Sequence, residues 1–253
     1  MTSETKTVSD TKNMYKKSLE SPEYTESTHI EIDYDVAKKN HCLISKESGI
    51  ERDSIKILRT HLLNHTRANG WRTVMVTSVQ PGEGKTVTAI NLAFAMAQEH
   101  QQTVVLVDCD LRRPSIARYL GIKKSPGLAE YFLHDKPLNE IIRWPGVEKL
   151  TMIAGSRKIA DPTEIIGSQK MGALVAELKN RYRDRYAFFD LPPLLSNADP
   201  IAFMPHVDCV ILVVEAGRTT IREIRKAQSM IPPEKLLGFV LNKDNMPGSK
   251  YYY

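Results

Sequence analysis

The sequence predicts an α/β fold, a doubly wound and mostly parallel sheet with helices on both faces. Two observations carry this. Short, continuous apolar runs rich in β-branched residues recur along the chain, such as Thr73–Thr77 (TVMVT), Thr103–Asp108 (TVVLVD) and Cys209–Val214 (CVILVV). Segments of helical periodicity separate them. Strands buried on both faces read as unbroken apolar runs, which is the signature of a parallel sheet covered by helices.

In chain order, residues 1–50 are rich in Ser, Thr, Glu and Lys, with seven lysines and nine acidic residues. They read as a mostly disordered polar arm with a short strand around Ile30–Val36. The arm's tyrosines (Tyr15, Tyr24, Tyr34) suit either a docking segment or a linker. Ile55, Leu58, Leu62 and Leu63 recur at helical spacing, predicting a helix from Asp53 to about Ala68. After the Thr73–Thr77 strand, a Gly-rich turn leads to a helix from Lys85 to about His100. Short helices are expected at Ser115–Leu120 and Leu128–His134, and strands at Leu150–Ile153, Tyr186–Asp190 and Gly238–Leu241. A long helix should cover about Pro162–Tyr182, and another Thr220–Ile231. The organisation is therefore an arm (1–50), one domain (51–245) and a short tail (246–253).

Composition excludes several classes. With 253 residues, 42% hydrophobic and 26% charged, the chain suits a soluble globular domain. No apolar run approaches the roughly 18–20 residues that cross a bilayer, and MTSETKTVSDTKN lacks an apolar signal region. The expected location is cytoplasmic. Cys42, Cys109 and Cys209 show no CxxC spacing and are odd in number, which argues against disulfides or zinc. Cys109 and Cys209 read as small buried hydrophobes. The net charge of +5 divides into −2 in residues 1–50 and +7 in the remainder. Nucleic-acid recognition has no support beyond that weak basic balance.

The most informative segment is Gln80-Pro81-Gly82-Glu83-Gly84-Lys85-Thr86, between a strand and a helix. In that context glycines let backbone N–H groups surround phosphates, and the helix N-terminus adds positive charge. Lys85 can reach the β- and γ-phosphates, and the Thr86 hydroxyl can ligate Mg²⁺. The strict P-loop pattern has Gly where this chain has Val79. Asp108 and Asp110 end the run VVLVDCD, and Asp190 ends YAFFD. In a doubly wound sheet these strand ends face the binding crevice, where carboxylates can hold Mg²⁺ or accept a proton. Asn242-Lys243-Asp244 resembles a guanine-reading Asn-Lys-x-Asp, but Asn245 occupies the acidic position. Asn242 then suits either an adenine edge or a simple turn. Arg181, Arg183 and Arg185 read as a solvated basic face. Three of the ten tyrosines, Tyr251, Tyr252 and Tyr253, end the chain.

From about Ile50 onward the chain resembles the bacterial tyrosine kinases of exopolysaccharide and capsule assembly. TSVQPGEGKT resembles their Walker A loop, VVLVDCDLR their Walker A′ motif and FFDLPP their Walker B motif. The resemblance implies a P-loop ATPase/kinase domain that uses ATP and Mg²⁺. Pro81, Gly82, Glu83, Gly84, Lys85 and Thr86 would bind nucleotide, with Asn242 beside the base. Thr86, Asp110 and Asp190 would hold Mg²⁺, and Lys85, Asp108, Asp110 and Asp190 would be catalytic. Tyr251–Tyr253 would be autophosphorylated, presented to a neighbouring copy in a homo-oligomer. The family's Glu-x-x-Arg-x-x-Arg self-association motif reads Asp53, Lys56 and Arg59 here. The resemblance also implies a separate transmembrane activator of the polysaccharide co-polymerase type, holding the chain at the inner face of the membrane. The alternative is a switch ATPase of the partition and cell-division type. Those carry an extra P-loop lysine where this chain has Gln80.

Overall fold

In a computed structural model, residues 27–44, 49–99 and 101–244 are described. An eight-stranded sheet runs in the order β1-β4-β5-β3-β6-β2-β7-β8. The strands are β1 (Thr28–His29), β2 (Thr73–Ser78), β3 (Thr103–Asp108), β4 (Arg143–Trp144), β5 (Leu150–Ile153), β6 (Arg185–Asp190), β7 (Cys209–Glu215) and β8 (Leu236–Asn242). Every neighbouring pair is parallel except β4 with β5.

Successive side chains of a strand point to opposite faces, so the central strands supply two cores. Met75, Val105, Val107 and Phe189 pack on one side with Leu174, Leu178 and Phe203. Val74, Val76, Leu106 and Phe188 pack on the other with Ile90, Ala93 and Met96. Phe188 and Phe189 are completely buried, and burying each contributes about 2–3 kcal/mol.

The register sets up the site. Asp108 of β3 pairs with Asp190 of β6, and Asp190 pairs with Val76 of β2. Parallel strands end on one sheet edge, so both carboxylates and the loop after β2 meet there. Helix α3 (Lys85–Ala97) leaves that loop and is buried along nearly its whole length.

Three expectations need correction. Residues 27–44, assigned to a disordered arm with a strand at Ile30–Val36, pack against the domain instead. Asp33 caps a helix, α1 (Tyr34–Lys39), by accepting from the Asp35 and Val36 amides. Ile32, Ala37 and Cys42 are buried, and the Leu43 amide donates to Asn91 Oδ1 at 2.7 Å. The rest of the arm lies outside the described residues. The long helix at 162–182 is two, α6 (Thr163–Ile166) and α7 (Gln169–Asn180). Ser168 starts the second by accepting from the Met171 amide. Finally, Arg185 is buried, its guanidinium 4.3 Å from the Tyr182 ring centre, rather than solvated. The helix expected at Asp53–Ala68 is present as α2 (Ile50–Asn69), that at Ser115–Leu120 as α4 (Ile116–Tyr119) and that at Leu128–His134 as α5. Helices α8 (Asp199–Phe203) and α9 (Ile221–Gln228) complete the set. All three cysteines are buried and unpaired.

Candidate active site

The loop from Val79 to Gly84 makes its tight turn at two left-handed glycines. Gly82 has φ 88° and Gly84 has φ 95°, a region that side-chain-bearing residues rarely tolerate. A Cβ on Gly84 would lie 2.1 Å from Asn242 Nδ2, so any other residue would have to displace the Asn242 amide and hold a strained left-handed backbone. Val79, at the position of the strict motif's first glycine, is fully buried in the core. Its side chain anchors the loop's start instead of lining the loop.

Lys85 and Thr86 open α3 and reach both strand ends. Lys85 Nζ lies 2.8 Å from Asp110 Oδ2, 3.3 Å from Asp190 Oδ1 and 3.3 Å from Thr86 Oγ1. Thr86 Oγ1 donates to Asp190 Oδ2 at 2.6 Å. Asp108 Oδ2 accepts from the Ser115 and Ile116 amides at 2.8 and 2.9 Å. Its Oδ1 is buried with no hydrogen-bond partner. Asp108, Asp110 and Asp190 are respectively 1%, 5% and 0% exposed.

One ammonium group faces three buried carboxylates, and the electrostatics follow. Burial opposes the charge of Lys85, but Asp190 and Asp110 outweigh it and hold the ammonium above its usual pKa. Burial, then the nearby Asp190 charge, pushes Asp108 up to about 7. Burial also raises Asp190, against the pull of Lys85 and the Thr86 hydroxyl. Cys109, between the two aspartates, is raised well above its usual value by burial. It is an inert core residue.

These residues fit Mg²⁺. The cluster has a surplus of negative charge and an unpartnered carboxylate oxygen. Among the described residues, no three His, Cys, Asp or Glu side chains form a ready cage. Mg²⁺ asks for none, since it keeps waters and phosphate oxygens beside one or two protein ligands.

Other predicted positions behave differently. The Glu83 carboxylate accepts from the Gln80 amide at 2.8 Å and from the Thr219 hydroxyl, so its side chain braces the loop. Asn242 Nδ2 donates to the Glu83 carbonyl at 2.8 Å, which ties the end of β8 to the loop. The Gln80 side chain donates to Glu223 Oε1 at 3.0 Å. On α2, Lys56 pairs with Asp53 at 2.9 Å, while Arg59 bonds the Ala95 carbonyl and Glu99. Tyr251–Tyr253 lie outside the described residues.

Sequence reasoning missed Asp199. Fully buried, it receives Arg112 Nε at 2.7 Å and Arg112 Nη2 at 3.1 Å. Arg112 also bonds the Ala160 carbonyl, Asp161 and Thr163. This two-point clamp fixes the segment just after Asp110. The Asp199-Pro200 pair at a helix start was the available local signal.

The family described as the CobQ/CobB/MinD/ParA nucleotide binding domain matches residues 74–249. Tyrosine-protein kinase YwqD of Bacillus subtilis is 27% identical over 219 residues, covering 85% of this chain and 91% of YwqD. Tyrosine-protein kinase CpsD of Streptococcus pneumoniae serotype 4 is 31% identical over 186 residues, covering 71% and 79%. Among solved structures, the VpsO kinase domain superposes with a TM-score of 0.68 and 29% identity, covering 83% of this chain and 98% of that domain. With the Walker geometry above, these similarities establish that the chain belongs to the bacterial tyrosine kinases within the CobQ/CobB/MinD/ParA nucleotide binding domain family.

Proposed function

We propose that this chain transfers the γ-phosphoryl group of ATP to tyrosine, with Tyr251, Tyr252 and Tyr253 as its own acceptors. The observation that carries this reading is the meeting of Lys85, Thr86, Asp110 and Asp190 beside a buried Asp108 oxygen with no partner. The inward loop amides and Lys85 would hold the phosphates and stabilise charge on the transferring group. Thr86, Asp110 and Asp190 would hold Mg²⁺, directly or through water. Mg²⁺ bound there would neutralise the β- and γ-phosphate oxygens.

Asp108 is suited to accept the phenol proton. Its carboxyl titrates at about 7, close to the pH at which a general base works best. The phenol oxygen forms a bond to the γ-phosphorus, the bond to the β-phosphate oxygen breaks, ADP leaves and the proton passes to Asp108. Atoms and charge balance without a further reactant.

The names of the relatives support a role in building extracellular polysaccharide, beside Succinoglycan biosynthesis transport protein ExoP, 30% identical over 186 residues but matched along 22% of its length. Among the described residues no helix is long and apolar enough to cross a membrane. On this reading a transmembrane co-polymerase partner activates the chain at the cytoplasmic membrane face. Self-association brings the tail of one copy to the site of another.

The test replaces all three terminal tyrosines by Phe. The variant should keep ATP turnover and lose phosphotyrosine. Phosphotyrosine persisting at Tyr15, Tyr24 or Tyr34 would overturn the acceptor assignment. Turnover without phosphotyrosine in the unaltered chain, with the activator present, would favour the switch ATPase.

A further inference from the structure

We infer that Asn242 and Lys243 form a latch that positions the phosphate-binding loop. This rests on the nucleotide reading above and goes beyond it, since it assigns new roles at the end of β8.

Two consecutive residues take two consecutive loop carbonyls. Asn242 Nδ2 donates to the Glu83 carbonyl at 2.8 Å, and Lys243 Nζ to the Gly82 carbonyl at 2.7 Å. With its carbonyls drawn outward in this way, the loop can turn its N–H groups inward, as a phosphate cradle requires. The fit is close, because Asn242 Nδ2 occupies the space where a Gly84 Cβ would be. Lys243 adopts φ 58°, a left-handed conformation that costs a non-glycine residue on the order of 1–3 kcal/mol and persists where surrounding contacts hold it.

The latch has its own support. Glu215 Oε2, at the end of β7, accepts from Lys243 Nζ at 3.1 Å and from Arg218 Nη1 at 3.1 Å. The Asn242 carbonyl accepts the Ala216 amide at 2.9 Å. Glu83, whose carbonyl Asn242 holds, is itself pinned through its carboxylate to Thr219. The ends of β7 and β8 thus grip the loop from outside. Because Lys243 reaches a backbone carbonyl, its contribution should be independent of which base the nucleotide carries.

The experiment measures equilibrium binding of Mg·ATP, Mg·GTP and inorganic tripolyphosphate to the full chain and to Asn242→Ala, Lys243→Met and Lys243→Arg. Thermal unfolding of each variant confirms that it is folded. The latch predicts that Asn242→Ala and Lys243→Met weaken all three ligands by the same factor, about tenfold, as loss of one charge-assisted or well-placed hydrogen bond implies. Lys243→Arg, which keeps a donor, should recover most of that loss. Weakening confined to ATP, with tripolyphosphate unchanged, would overturn the latch and return Asn242 to base recognition. Unchanged binding of all three would overturn it as well. If the unaltered chain binds none of the three, the nucleotide reading itself fails and the latch falls with it.

Discussion

Asp108→Asn should make the protein more stable at neutral pH while removing its activity. In the native state the Asp108 carboxyl titrates at about 7, against an ordinary 3.8, because burial and Asp190 disfavour its charge. Below pH 3.8 both states are protonated and nothing is lost. Between 3.8 and 7 the native state holds more protons than the unfolded state, so stability falls as pH rises. Above 7 the deficit is complete, about 4 kcal/mol from the interval between the two values. Asparagine removes the titration and keeps the geometry. Its carbonyl oxygen can accept the Ser115 and Ile116 amides that Asp108 Oδ2 accepts. Its NH₂ would stand where Oδ1 has no partner. Urea unfolding of both proteins from pH 4 to 8 reads the effect. The difference curve cancels groups that do not interact with Asp108, such as Asp208, whose lowered pKa gives the opposite slope. The two should converge at pH 4 and separate towards pH 8, with the variant more stable by up to about 4 kcal/mol. Parallel curves, or a wild-type stability that rises relative to the variant, would refute the assignment of a raised Asp108. Phosphotyrosine formation should meanwhile fall by about 10²–10⁴ if Asp108 is the proton acceptor.

Further outcomes follow from the same contacts. Lys85→Met should abolish phosphoryl transfer and lower stability by about 3 kcal/mol, since the buried Asp110 and Asp190 lose their cation; an unchanged urea midpoint would contradict that. Arg112→Ala should cost about 3–5 kcal/mol by stranding the fully buried Asp199. Arg112→Lys should recover only part, because an ammonium cannot make the two-point contact, and Arg112→Ala with Asp199→Asn should be less than additive in the same unfolding assay. Gly84→Ala should reduce nucleotide affinity more than tenfold, as the new Cβ meets Asn242 Nδ2; calorimetric titration with Mg·ATP measures it.

The parts legible in the sequence are those whose signal is local. The P-loop could be seen because Gly82, Gly84, Lys85 and Thr86 are contiguous, and Asp108 and Asp190 because each ends an apolar run. Their meeting followed from the parallel register, which a doubly wound sheet imposes on adjacent strands. The break at Gly167-Ser168 was hidden by apolar spacing that continues across it, although a glycine before a serine cap was a local sign. Ile30 and Ile32 alternated like a strand, yet the turn is decided at Asp33, whose side chain caps the next helix. The bracing contacts were illegible for a different reason. Glu83 meets Thr219 136 residues away, and Asn242 reaches Glu83 across 159. No window of sequence contains both partners, so the bracing role of the Glu83 side chain could not be read locally. Arg185 looked solvated beside Arg181 and Arg183, but it begins β6 and is carried into the sheet by the strand.

The central claim is phosphoryl transfer from ATP to the terminal tyrosines, and intact mass tests it most directly. The full chain would be weighed before and after Mg·ATP, alone and with the cytoplasmic part of the activator proposed above, and the C-terminal peptide mapped by fragmentation. One to three added phosphates are expected on Tyr251–Tyr253, few without the activator, and none in Lys85→Met. Nucleotide consumed with no mass gained under any of these conditions would contradict it.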